Sequence, residues 1–136
     1  MNTFQMTFFE KISDHHKGQN MMISPLSIYH ILSLATNGAA GETKKEMLDV
    51  LNNKNQEEMN EKNKLIYSLI DNLKTVKFAN AAFLNGRILD SFKKYLKLYK
   101  AGIEELKSAQ QINGWVIKAT KGLIKKIMKK YLLRHL

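Results

Sequence analysis

The stretch NMMISPLSIYHILSLATNGAAGETKKEMLDVL, Asn20 to Leu51, decides the fold. Met21-Met22-Ile23 is a short apolar run of strand type. Ser24 is placed to cap a helix with Pro25 at its first position, where proline's missing N–H costs nothing. Ile28, Ile31, Leu32, Leu34 and Ala35 give that helix an apolar face, and Asn37-Gly38 ends it. Thr43-Lys44-Lys45-Glu46 has the form of a capping box, which predicts a second, short helix carrying Met47, Leu48, Val50 and Leu51.

Outward from this stretch the pattern stays mostly helical. Phe4, Phe8, Phe9 and Ile12 recur at helical spacing in Met1–His16, and Lys17-Gly18-Gln19-Asn20 reads as the stop. Gln56–Lys74 is a long amphipathic helix with Met59, Leu65, Ile66, Leu69, Ile70 and Leu73. Thr75–Leu84 is the best strand, followed by an Asn85-Gly86 turn. A helix over Ser91–Ala101 and a short strand over Gly102–Leu106 come next. The last helix starts near Ser108, carries Ile112, Trp115, Val116 and Ala119 on one face, and stops at Gly122. No internal repeat or linker interrupts this order.

Three motifs in sequence resemble the serpins, the serine protease inhibitor family. The first is Ile23-Ser24-Pro25-Leu26-Ser27-Ile28 with Gly38-Ala39, Gly41, Thr43, Glu46-Met47 and Val50-Leu51. The second is Phe78-Ala79-Asn80-Ala81-Ala82-Phe83. The third is Ile112-Asn113-Gly114-Trp115-Val116 with Thr120-Lys121-Gly122-Leu123-Ile124. The resemblance implies an α+β fold: the helix-rich N-terminal part of a serpin, helices A to F with a few strands of sheets A and B, incomplete. It covers residues 1–128 as a partial serpin domain and leaves 129–136 as a tail without a match.

The family's mechanism is mechanical. A protease attacks an exposed reactive loop, forms an acyl-enzyme, and is carried across the molecule as the cleaved loop inserts into sheet A. The resemblance places that loop near the C-terminus of a serpin. The chain is therefore expected to be truncated before it, and to be non-inhibitory alone although a serine protease is the family's partner. Ser24 and Ser27 match the shutter serines under the centre of sheet A; helix capping by Ser24 and burial of Ser27 are compatible with that role. Asn80 is expected as a buried strand asparagine and Trp115 as a helix residue packed on the sheet, both structural. No secretory signal is visible, since Met1–Glu10 lacks a basic start. That agrees with an intracellular, ovalbumin-like serpin: cytoplasmic, or exported unconventionally as some serpins are.

Composition narrows the chemistry. The 136 residues are 44% hydrophobic and 25% charged and contain no cysteine, so one domain with a core is expected, without disulfides or thiolate metal sites. The long uncharged run Met21–Gly41 is interrupted by Pro25, serines and glycines and is read as a buried helix; no membrane partner is expected. His15 and His16 are adjacent, His30 lies in an apolar run and His135 in the tail, so no metal-ligand spacing exists. Ser13-Asp14-His15 contains triad residue types as sequence neighbours, which is not triad geometry. Gly38-Ala39-Ala40-Gly41 lacks the Lys-Ser/Thr of a phosphate loop. Neither an enzyme nor a cofactor is predicted.

The net charge of +10 is uneven. Residues 1–86 balance nine Lys against nine Asp/Glu, whereas 87–136 hold thirteen Lys/Arg against Asp90, Glu104 and Glu105. Lys118, Lys121, Lys125 and Lys129, with Lys126 and Lys130 beside them, would line up on a continuous helix. They are the candidates for weak polyanion binding, against a plain solvated face. Some serpins bind glycosaminoglycans through the helix that matches Gln56–Lys74, but here Glu57, Glu58, Glu61 and Asp71 offset its lysines. The alternative to an inhibitor fragment is thus a basic helical fragment that binds polyanions or a partner chain.

Overall fold

The computed structural model describes residues 3–73 and 75–129. Among them are six helices and two strands: α1 Thr3–His15, α2 Pro25–Gly38, α3 Gly41–Val50, α4 Gln56–Asp71, β1 Asn80–Leu84, α5 Asp90–Leu98, β2 Ala101–Glu105 and α6 Ala109–Ala119. β1 and β2 pair in parallel, from Asn80 opposite Ala101 to Leu84 opposite Glu105, and α5 makes the crossover a parallel pair requires. Two small cores form. Leu34, Tyr67, Leu96 and Tyr99 are buried between α2, α4 and α5, with Phe78, Ala82 and Phe92 packed on them. Tyr29, Leu51 and Met59 are buried between α2, α3 and α4, with Phe4 from α1 and Leu48 against them.

Helix starts follow capping chemistry. Ser24 Oγ accepts from Ser27 N–H at 3.3 Å, and Pro25 opens α2 as expected. Asn55 caps α4, its Oδ1 accepting from Glu58 N–H at 2.8 Å while Glu58 Oε2 accepts from Lys54 N–H at 3.1 Å. Ser108 caps α6 through Gln111 N–H, and Gln111 Oε1 returns to Lys107 N–H. The capping box read at Thr43–Glu46 is not one. α3 begins two residues earlier at Gly41, whose φ of +57° turns the chain into the helix from extended Ala40, with no side-chain cap.

The strands are shorter than the sequence suggested. Met21–Ile23 forms no strand, because no partner lies opposite it among the described residues, and Met22 is 98% exposed. The expected strand Thr75–Leu84 is regular only over Asn80–Leu84, the length its five-residue partner can pair. α4 ends at Asp71; Lys74 lies outside the described residues. α5 stops at Leu98, and Lys100 with φ +50° turns the chain straight into β2, so Ala101 belongs to the strand.

Candidate functional site

α2 carries most of the polar side chains that could do something specific. At its N-terminus the Ser24 and Ser27 hydroxyls bond each other at 2.8 Å. Ser24 is exposed and Ser27 half-buried, so the expected burial of Ser27 is only partial. One turn on, His30 is 1% exposed between α2 and α4. Its Nδ1 is bonded to Asn63 Oδ1, its ring stacks on Tyr67 at 4.7 Å, and Phe78 meets it edge-on at 5.2 Å. Its Nε2 is buried without a hydrogen-bond partner. Burial lowers the His30 pKa below its ordinary value, against a smaller opposing effect of the Asn63 bond.

Farther along α2, Asn37 and Asn60 exchange side-chain amide bonds at 2.9 Å in both directions. Gln56 Nε2 donates to Asn37 Oδ1 at 2.6 Å, and Tyr99 OH donates to Asn60 Oδ1 at 2.9 Å. Burial pushes the Tyr99 phenol well above its ordinary pKa and raises that of Tyr67 as well. Asn80 stands at the start of β1, half-buried, where its Nδ2 donates to Tyr67 OH at 2.7 Å and to the Tyr99 carbonyl at 2.9 Å. It thereby ties the strand to α4 and to the end of α5. These bonds pair most of the buried polar groups between α2 and α4, His30 Nε2 and Ser33 Oγ excepted, and make one specific packing of α2 on α4. Asn80, expected as a buried strand asparagine, is only half-buried at the start of β1. The network's other signals in the sequence are polar residues inside apolar helices: His30 and Asn37 on α2, Asn60 and Asn63 on α4.

Trp115 of α6 packs edge-on against Phe83 of β1, with ring centres 6.0 Å apart. The basic segment is arranged differently from its sequence pattern. α6 ends at Ala119, and Gly122 at φ +84° closes it by donating to the Ile117 carbonyl at 2.8 Å. No helix continues through 123–129, so Lys118, Lys121, Lys125, Lys126 and Lys129 are exposed but do not share a helix face. Lys130 lies outside the described residues. Asn113 folds the segment back: its Oδ1 accepts from Ile127 N–H and Met128 N–H, each at 2.9 Å. Among the described residues no three His, Asp or Glu gather as metal ligands, and no helix is long and apolar enough to cross a membrane.

The model of one family, Serpin (serine protease inhibitor), matches residues 1–135. The chain belongs to the serpin family. Human (Homo sapiens) Serpin B8 is 27% identical over 139 aligned positions, which take in 93% of the chain but 37% of that relative. AtSerpin1 from Arabidopsis, in its native stressed conformation, superimposes with a TM-score of 0.76 at 25% identity over 94% of this chain and 37% of that one. Native protease nexin-1 solved with heparin gives 0.82 at 23% identity over 93% and 38%, a likeness of fold. The six helices and the β1–β2 pair are thus the N-terminal part of the serpin fold, and the chain spans under two fifths of each of these three proteins.

Proposed function

We propose that these residues are the N-terminal scaffold of a serine protease inhibitor and that, as a separate 136-residue polypeptide, they do not trap a protease. The observation that carries this is a family match over residues 1–135, with an alignment that covers 37% of Serpin B8, joined to a sheet with two strands among the described residues. The family's trapping step inserts a cleaved loop as a new strand between existing ones; two strands already paired with each other leave no such gap. In this reading Ser24 and Ser27 brace the start of α2 beneath the inhibitor's sheet, and Asn80 and Trp115 hold β1 against the helices behind it. None of the four touches a protease. Incubating the polypeptide with trypsin-, chymotrypsin- and elastase-like enzymes should give no SDS-stable covalent complex. A single such complex overturns the reading.

One observation favours a second, weaker activity. The charge excess lies in residues 87–136, and Lys118, Lys121, Lys125, Lys126 and Lys129 all face solvent. We propose nonspecific polyanion contact through this segment.

A further inference from the structure

The chain contains three Asn-Gly pairs: Asn37-Gly38, Asn85-Gly86 and Asn113-Gly114. An asparagine before glycine carries its own reaction partner. The glycine's backbone nitrogen can close a five-membered ring on the asparagine Cγ, and no Cβ stands in the way. The fold sorts the three pairs. Asn37 and Asn113 lie inside α2 and α6, where helical ψ holds the following nitrogen away from the side chain and its N–H is spent on the helix. Their side chains are held too. Asn37 Nδ2 donates to the Ser33 carbonyl and to Asn60 Oδ1, and Asn113 Nδ2 donates to the Met128 carbonyl, each at 2.9 Å. Asn85-Gly86 is the opposite case: an exposed bend directly after β1, with Gly86 at φ +100°. Among the described residues neither the Asn85 side chain nor the Gly86 N–H has a hydrogen-bond partner. Arg87 follows, exposed, and its charge favours both a deprotonated nitrogen and a carboxylate beside it.

We propose that Asn85 is a self-modifying site that converts to isoaspartate, whereas Asn37 and Asn113 persist. The Gly86 nitrogen gives its proton to hydroxide and attacks Asn85 Cγ. An N–Cγ bond forms and the Cγ–Nδ2 bond breaks, the departing nitrogen taking a proton from water to leave as ammonia. Water then opens the cyclic imide. Opening at the carbonyl attached to Cα carries the backbone through Cβ and gives isoaspartate; opening at Cγ gives aspartate. The isoaspartyl backbone is longer by one atom, directly beside the last rung of the β1–β2 pair, where Leu106 N–H donates to the Leu84 carbonyl at 3.0 Å. The conversion therefore loosens that rung. This inference is independent of the inhibitor reading.

Ageing the full chain in mildly alkaline buffer, followed by peptide mapping, tests this. The tryptic peptide Phe78–Arg87 should gain about 1 Da, the exchange of NH2 for OH, and fragmentation should place the gain at Asn85 rather than Asn80. Asn85 should convert about tenfold faster than Asn37 and Asn113, whose reaction waits for their helices to open locally. In urea the three rates should converge. An isoaspartate-specific methyltransferase should methylate the aged chain but not aged Asn85→Gln, whose longer side chain disfavours the ring. Hydrogen exchange at the Leu106 amide should quicken with age in the wild type and not in Asn85→Gln. Equal rates at the three sites in the folded chain, an Asn85 that stays intact, a mass gain there without isoaspartate, or a Leu106 amide indifferent to the conversion would each overturn the proposal.

Discussion

Asn113 holds Met128 at both backbone groups: its Oδ1 accepts from the Met128 N–H and its Nδ2 donates to the Met128 carbonyl, each at 2.9 Å. A side-chain amide matches a backbone amide in this way because both carry one acceptor and one N–H donor in a plane. The pair explains how residues after Gly122 stay against α6 without helix or strand of their own.

Asn113→Ala should therefore free the segment from Leu123 to Met128 while leaving α6 formed. Three hydrogen bonds are lost at a partly exposed site, each worth about 1 kcal/mol at most. Hydrogen exchange should quicken at Ile127 and Met128 and stay slow in Val116. Unchanged exchange at Met128 would show that other contacts hold the segment.

His30 makes stability depend on pH. Burial depresses its folded pKa below the ordinary 6.5, so the unfolded chain takes up a proton before the folded chain does. Among the described residues no carboxylate faces the ring: Asn63 and Tyr67 come from α4, Phe78 from the segment before β1, and Tyr29 from α2. The neutral imidazole's contribution is complete above about pH 6.5 and is lost as pH falls toward the depressed value. The melting midpoint should drop between about pH 7.5 and 5.5, and His30→Gln should flatten that drop. Identical profiles for the two proteins would exclude His30 as the cause.

Gly41 is a backbone requirement rather than a packing one. A Cβ there would meet no atom within 4 Å, but φ is +57°. Gly41→Ala should destabilise by about 1 kcal/mol through left-handed strain alone. Gly38→Ala should act differently, since its Cβ would sit 3.2 Å from the Phe92 ring and must displace it. Urea unfolding of the two variants checks both; a neutral Gly41→Ala would mean that α3 begins elsewhere.

The start of α2 was legible because a serine cap and a first-turn proline act within a few residues. The family motifs were legible for the same reason. The start of α3 was not: Thr43-x-x-Glu46 satisfies the capping pattern, yet Gly41 reaches a positive φ first and the helix is under way before Thr43. Strand length escaped the sequence because it belongs to the partner: β1 is as long as β2 lets it be. The His30–Asn63 contact spans 33 positions, which no local pattern encodes. The lysines beyond Ala119 share no helix face because a single residue, Gly122 at positive φ, closes α6 before them.

That break at Gly122 sets the expectation for polyanion binding. On an unbroken helix, six lysines contacting duplex phosphates would give a slope of log K against log salt near −5. With the helix ended, Lys118 and Lys121 sit at its close, while Lys125, Lys126 and Lys129 follow a chain folded back by Asn113. Fewer lysines can reach one phosphate track together, so the slope should be shallower, about −2 to −3. Surface lysines give point charge and no bidentate phosphate grip, so affinity should be weak and indifferent to sequence. Deleting Gly122–Leu136 removes Lys125, Lys126, Lys129, Lys130 and Arg134 and should abolish most of the slope. Trp115 fluorescence should persist, because Phe83 and α6 lie before the cut. Titrating heparin and duplex DNA against both chains at two salt concentrations decides the matter. Equal, salt-insensitive affinities would dismiss the segment as a site, and a slope near −5 would mean that the polyanion itself rebuilds the helix past Gly122.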